Sequence, residues 1–305
     1  MEPINAIISK NWRFHNDKGR FAKSCNYKTA LRGESMSIPK IIHYCWFGDK
    51  EIPEKDRKNI EGWKKLNPDY EFRFWNEQNY DVKKNKYMKQ AYEKKKLGFV
   101  PDYARTDIIY QYGGFYFDTD VELLKPLDEL LENECIMGFQ NSKEVNHGQG
   151  FAAVPKHHLI KGLLDVYENL DFVNEDGSLN LIPSPVFLTQ YLKEKGLQLN
   201  GEEQYVEGAL ILPTEYFCPI DYESRKIEIT KNTIGIHHYA ASWHTELEKV
   251  SYAIQRKCVN IFGKKRGDRL GKWLSFPFRV INKFNQLGAR KTFDFALNKI
   301  KGTRE

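Results

Sequence analysis

A chain of 305 residues with 41% hydrophobic, 14% aromatic and 29% charged residues can bury a substantial core without metal or disulfide staples, which excludes a disordered, collagenous or fibrous protein. No run of about 18 apolar residues occurs and the N-terminus has no apolar signal-peptide core, so neither a membrane-spanning helix nor export is expected. The net charge of +6 hides a split: Lys249 to Glu305 hold 15 Lys and Arg against 3 acids, while the remainder holds 32 bases and 38 acids. The five cysteines, Cys25, Cys45, Cys135, Cys218 and Cys258, are scattered and odd in number and form no C-x-x-C pair. That pattern argues against a disulfide framework or a zinc knuckle and fits a reducing cytosol.

Residues 1–36 are polar and irregular and read as an N-terminal extension. Ile41 to Phe47 reads as a buried strand closed by Gly48 and Asp49. Pro53 to Asn67 sets Ile60, Trp63 and Leu66 at helical spacing, and Tyr70 to Trp75 alternates as a strand. Lys83 to Lys96 predicts a solvated, lysine-rich helix. Ala104 to Tyr112 predicts a helix with Ile108 and Ile109 inward, stopped by Gly113-Gly114 and followed by a strand from Phe115 to Phe117. Residues 157–170 read as a helix, and Thr233 to Tyr239 as a last strand. Strands alternating with helices predict an α/β sheet.

The apolar strand runs directly into Asp118-Thr119-Asp120. On an extended chain alternate side chains share a side, so the two carboxylates can converge on one point. Held that close they repel unless a proton or cation intervenes, and a divalent metal is the natural third party. An acidic turn that caps a neighbouring helix would look the same at this level. Upstream, Asp102, Arg105 and Asp107 share a helical start, with Asp102 and Arg105 on one face. Either they form a surface ion pair beside the helix dipole, or Asp102 accepts from substrate hydroxyls while Arg105 orients it. Downstream, His237 and His238 leave a strand on opposite faces, so one of them can face a cleft; His238 is the candidate third metal ligand, with Ser242 and Trp243 beyond it as a closing loop or a core anchor.

The C-terminal segment interleaves its cations with Trp273, Phe276, Phe278, Phe284, Phe293 and Phe295. Such a composition suits a helix lying on an anionic membrane interface, or a terminal helix pair packed on the body with its lysines in water. No nucleic-acid module is recognisable, so no nucleic-acid partner is expected.

Six segments in order, IPKIIHYCWFG, WKKLNPDYEFRFWNE, FVPDYARTDIIYQYGGFYFDTDVELLKPLDELL, IPSPVFLTQYL, LPTEYFCP and HHYAASW, resemble glycosyltransferase family 32 over roughly residues 37–245. This bacterial group, often tied to capsule and exopolysaccharide synthesis, is named for a sugar-binding region containing a D-x-D motif. More distantly the layout is similar to the catalytic domain of clostridial glucosylating toxins. The resemblance implies an α/β fold of glycosyltransferase-A type: a single Rossmann-like mixed sheet flanked by helices, over residues 37–245, with residues 246–305 as a basic amphipathic helical tail. It implies retention of configuration, a divalent metal (Mn2+ or Mg2+) held by Asp118, Asp120 and His238, and catalytic roles for Asp102, Arg105, Asp118 and Asp120. His43, Tyr44 and Trp46, with Ser242 and Trp243 as the closing loop, are expected to line the nucleotide-sugar. Asp102, Arg105 and Asp118 would hold its sugar and ribose. Pro183-Ser184-Pro185 and Asn146-His147-Gly148-Gln149-Gly150 depart from the family pattern and are expected to border the acceptor, with Asn146, Gln149 and Ser184 as contacts. UDP-hexoses are the first expectation for the donor and GDP-mannose the second. The acceptor is expected to be a glycan or lipid-linked oligosaccharide, reached by a peripheral enzyme at the cytoplasmic face of the cell membrane.

Two other readings share parts of the pattern. Haloacid-dehalogenase phosphatases also open on a strand followed by D-x-D-x-V, but their later acidic pair has only Gly267-Asp268-Arg269 as a candidate here. A non-catalytic carbohydrate-binding protein would not require a metal that neutralises a diphosphate.

Overall fold

The structure, a computed structural model, describes residues 37–220, 226–239, 245–282 and 284–285. The expected N-terminal extension, Ser242, Trp243 and the end of the basic tail lie outside the described residues. Chain order begins β1 (Ile41–Cys45), α1 (Glu54–Leu66), β2 (Glu71–Trp75), α2 (Lys86–Glu93), α3 (Val100–Tyr112), β3 (Gly114–Tyr116) and β4 (Val121–Leu123). It continues β5 (Cys135–Asn141), β6 (Glu144–Asn146), β7 (Phe151–Ala153), α4 (His158–Glu168), α5 (Ser184–Glu194), β8 (Gln204–Val206) and β9 (Ala209–Leu212). The last elements are α6 (Thr214–Phe217), β10 (Gly235–His237), α7 (Glu246–Phe262) and α8 (Lys264–Leu274). These residues group into two units, one of residues up to 218 with 230–237, the other of 219–229 with 238 onward.

The first unit is built on a mixed sheet in the order β2-β1-β3-β7-β5-β9-β8, with β6 added to β5. β1 runs parallel to both β2 and β3, whereas β7 is antiparallel to β3 and to β5. Alternation along the strands sends successive side chains to two cores. On β5, Cys135, Met137 and Phe139 join Ile108, Tyr167 and Leu188 from the helices on one face, and Ile136 joins Trp63 and Phe117 on the other. The protein is therefore a mixed α/β sheet flanked by helices, as the sequence implied.

Two elements differ from the sequence reading. α3 starts at Val100 rather than Ala104, because Pro101 sits in its first turn, where a missing N–H leaves no bond unmade. The lysine-rich helix α2 is not fully solvated: Tyr87, Met88 and Ala91 are buried while the lysines stay outside. A window rich in lysine hides a stripe of three apolar residues spaced along one face.

The corner between α3 and β3 determines where the D-x-D segment lies. Gly113 and Gly114 have φ of +67° and +93°, a region in which side chains are strained. A Cβ on Gly114 would also come within 2.6 Å of the Ile41 carbonyl oxygen, so β1 and β3 approach only because the residue has no side chain. His43 locks the same corner. Its ring is fully buried, Nε2 donates to the Gly113 carbonyl at 2.9 Å, and Nδ1 accepts from the Trp75 indole at 3.1 Å.

In the second unit α7 opens with a capping box, Thr245 with Glu248, and α8 packs against it through glycines. A Cβ on Gly267 would lie 2.4 Å from the Cys258 carbonyl oxygen, and one on Gly271 would lie 2.7 Å from Gln255 Cα. The helices therefore touch backbone to backbone, and the larger apolar residues are not needed to fill the seam. Trp273 is 72% exposed on α8. Among the described residues no helix is long and apolar enough to cross a membrane.

Burial holds the His43 imidazole down to about 4, so it is neutral in the folded protein. The unfolded chain takes up that proton near 6.5. The stabilisation is therefore full above 6.5 and lost as pH falls toward 4, a contribution of roughly 3 kcal/mol. Denaturant titrations at pH 7, 5.5 and 4 should show stability falling across this window, and His43→Gln should flatten part of the slope.

Candidate active site

The first strand end places nothing at the site by itself; the turn after β3 does. Asp118, Thr119 and Asp120 lie beyond β3, and the Val121 N–H donates to the Asp118 carbonyl at 3.0 Å, closing a turn that leads into β4. The two carboxylates thus converge through a turn, not through the pleat of one continuous strand. β4 leaves the main sheet and pairs antiparallel with β10, with His237 opposite Val121. That register carries His237 to the turn. Ligand atoms of Asp118, Asp120 and His237 lie within 4.8 Å of one another, and His237 Nε2 is 3.3 Å from Asp120 Oδ1. The histidine expected from sequence was His238, its chain neighbour. Opposite faces for the pair were legible, but which one faces the aspartates depends on the register against β4.

Behind the turn lies a buried ion cluster. Arg105, on the first half of α3, donates from Nη2 to Asp102 at 2.7 Å and from Nη1 to Asp118 Oδ2 at 3.2 Å. Its Nε donates to the Pro101 carbonyl at 3.1 Å, and the guanidinium stacks over Tyr116 at 5.3 Å. Tyr116 in turn donates its hydroxyl to Asp118 Oδ1 at 3.0 Å. Both oxygens of Asp118 are therefore engaged by protein donors. Asp102 and Arg105 have side chains only 5% exposed, against 29% for Asp118. Of the two readings open from sequence, the surface ion pair is excluded: the pair is internal and bridges to the D-x-D segment.

Gly148 makes the bridge possible. Its backbone lies so close that a Cβ would sit 2.2 Å from Asp118 Oδ2 and 2.4 Å from Arg105 Nη1. Its carbonyl accepts from the Asp118 N–H at 2.8 Å, and Asn146 Oδ1 accepts from its own N–H at 2.7 Å. Sequence singled out this loop but assigned it to the acceptor. Asn146 and Gln149 are buried and turned inward, with Asn146 donating to Gln140 and Gln149 to the Phe139 carbonyl. Ser184, first residue of α5, is also buried, and its hydroxyl faces Asp102. His147 is fully buried and packs against Phe151. Of the aromatic residues expected around the nucleotide, Tyr44 is half-buried in a stack with Phe74, and Trp46 donates to the Lys50 carbonyl. Both ring nitrogens of His43 are taken up within the corner described above.

Charge follows from this packing. Burial raises the Asp102 carboxyl to about 6, against the pull of Arg105 and Ser184. Burial likewise raises Asp118, with Asp120 adding to the rise while Arg105, His237 and Tyr116 oppose it. For His237 burial works downward, but the charge and hydrogen bond of Asp120, then Asp118, outweigh it and the imidazole is raised. Asp102 and Asp118 share the Arg105 guanidinium, while Asp120 pairs with His237. Two oxygen donors and one imidazole nitrogen at this spacing fit a divalent cation.

Residues 53–137 match the family described as a glycosyltransferase sugar-binding region containing a DXD motif. Inositol phosphoceramide mannosyltransferase 1 of Schizosaccharomyces pombe is 30% identical over 262 residues, 79% of each chain. Inositol phosphoceramide mannosyltransferase 3 of the same organism is 33% identical over 166 residues, 48% of this chain and 44% of its own. Among solved structures, the PaToxG glycosyltransferase aligns with a TM-score of 0.43 at 19% identity, covering 52% of this chain and 70% of that one. The chain belongs to the glycosyltransferases that carry the DXD sugar-binding region. It is a transferase, and the phosphatase and non-catalytic readings fall away.

Gly148→Ala should push Asp118 and Arg105 apart, lowering kcat/KM about 100-fold and lowering the melting midpoint as well, because a buried ion pair is opened. Because a cation must displace the proton that His237 holds, Mn2+ affinity should weaken as pH falls through the raised imidazole pKa; calorimetric titrations at pH 8 and pH 6 would show it.

Proposed function

We propose that this protein is a metal-dependent, retaining glycosyltransferase of family-32 type that moves a hexose from a nucleotide-sugar to a lipid-borne glycan acceptor. One observation carries the reading: the convergence of Asp118, Asp120 and His237 in front of the buried Asp102–Arg105 pair. Asp120 and His237 would hold the cation directly. Asp118, with both oxygens already engaged, would act beside it toward the ribose or through water. The bound ion would neutralise the charge that develops on the departing diphosphate, so no protein acid is needed there. Asp102 accepts hydrogen bonds from donor-sugar hydroxyls, and Arg105 fixes its carboxylate. Tyr44 and Trp46, partly exposed after β1, would meet the nucleotide.

The names of the fission-yeast relatives support a mannosyl donor, which moves GDP-mannose ahead of the UDP-hexoses, and they support a lipid acceptor. Charge points the same way. With Gly267 and Gly271 turned to α7, about 100° per residue places Lys265, Arg266, Arg269 and Lys272 around Trp273 on the opposite side of α8. All five are exposed. A tryptophan ringed by cations suits an anionic bilayer surface, and the enzyme would work at the inner face of the cell membrane in surface polysaccharide synthesis.

Nucleoside diphosphate release from GDP-mannose or UDP-hexoses should require Mn2+ or Mg2+, and Asp120→Asn should abolish it with the fold intact; full turnover in that variant would end the metal assignment. Reversing Lys265, Arg266 and Arg269 to Glu should weaken binding to phosphatidylglycerol vesicles by at least roughly 100-fold, read by co-sedimentation.

A further inference from the structure

Helix α1 was expected to bury an apolar stripe of Ile60, Trp63 and Leu66. The structure shows a second stripe on it, and that one is polar. Asp56, Asn59, Trp63 and the terminal Asn67 recur three or four residues apart, so they share one face. All four are buried. Each bonds a successive point of the segment that carries the D-x-D turn. The Thr119 hydroxyl donates to Asp56 Oδ2 at 2.8 Å, and Asn59 Nδ2 donates to the Thr119 carbonyl at 3.0 Å. Trp63 Nε1 donates to the Val121 carbonyl at 2.8 Å, and the Leu127 N–H donates to Asn67 Oδ1 at 2.9 Å. The Trp63 ring also packs against Phe117 with centroids 5.7 Å apart.

The residue between the two aspartates is thus bound at both its side chain and its carbonyl, and its own side chain is turned away from the cleft. A surface turn exposing two carboxylates would otherwise relax, since like charges repel and loops are the least constrained part of a fold. We propose that Asp56, Asn59 and Trp63 are positioning residues that fix the separation of Asp118 and Asp120, so that α1, which never touches the ion, sets the affinity of the cation site. The inference rests on the metal reading above, and its test separates the two.

Thr119→Val removes the hydroxyl at nearly constant volume, Asn59→Ala removes the carbonyl clamp, and Thr119→Ser restores the hydroxyl. In metal-free protein, hydrogen exchange of the amides at 117–123 should quicken about tenfold in the first two variants and not in the third, with other segments unchanged. The Mn2+ dissociation constant, read from the free-ion electron paramagnetic resonance signal, should rise about tenfold in the same two variants and return in Thr119→Ser. At saturating Mn2+ the KM for donor should stay near wild type, a split that general loosening of the fold would not give. Unchanged exchange, or faster exchange with unchanged Mn2+ affinity, overturns the inference. A wild-type protein that binds no Mn2+ overturns the metal reading instead, and the exchange data still decide whether α1 braces the turn.

Discussion

The site depends on one buried cation. Arg105 is placed by α3 where water cannot solvate it, and a guanidinium there is tolerable only with carboxylates in hydrogen-bonding contact. Asp102 and Asp118 meet that demand from two directions, one from the same helix and one from the turn after β3. The pair and bridge therefore join an element of the core to the turn that follows β3. Arginine suits this position because its planar fork reaches both carboxylates at once, whereas lysine offers a single point of charge. Asp120 pairs instead with His237, so the two aspartates stand in different surroundings, as the proposed division of their roles requires.

The fold delivers these groups by a change of sheet. β3 belongs to the main sheet and β4 to a two-stranded ribbon with β10, and the D-x-D turn is the join. Ligands in open α/β sheets gather beyond the carboxyl ends of strands, where side chains from several elements can meet without being covered by a helix. Here the ribbon adds a histidine from more than a hundred residues downstream, α1 braces the turn from beneath, and the Gly148 loop presses on it from the side. Each of these elements contributes only a few groups. Precision comes from the number of independent tethers on a five-residue stretch, which is how a turn acquires the rigidity of a strand.

Much of this was legible in the chain itself, and the parts that were not share a cause. The apolar strand, the Gly113-Gly114 stop and the two aspartates stand together in sequence, so local pattern reveals them. Asp102 and Arg105 were visible as a pair, but nothing local says that their helix is buried on so many sides; an isolated i, i+3 ion pair reads the same on a surface. His237 against His238 is a question of parity, settled only by which residue of β10 falls opposite Val121. The polar stripe of α1 escaped because hydrophobic periodicity looks for apolar residues. Asp56 and Asn59 look like solvent-facing helix residues until the D-x-D turn is laid against them. Asn146 and Gln149 misled in the other direction. Polar residues in a glycine-rich loop suggest ligand contact, yet here they satisfy backbone groups that the loop's own burial would leave orphaned.

The second unit raises a different question about what glycine does. Gly267 and Gly271 bring α8 onto the backbone of α7, a seam that needs no large side chains. A hairpin closed by leucines would have used its apolar residues as filling and presented a purely polar exterior. Closing it with glycines frees Trp273 to stand 72% exposed among arginines and lysines, a costly arrangement in water unless the surface is used. Tryptophan gains most where one side of the ring meets hydrocarbon and the other water, and arginine gains where phosphate is near. Under the proposed lipid-borne acceptor both conditions are met at once: the surface that would draw the protein to the bilayer would also shorten the search for its second substrate from three dimensions to two.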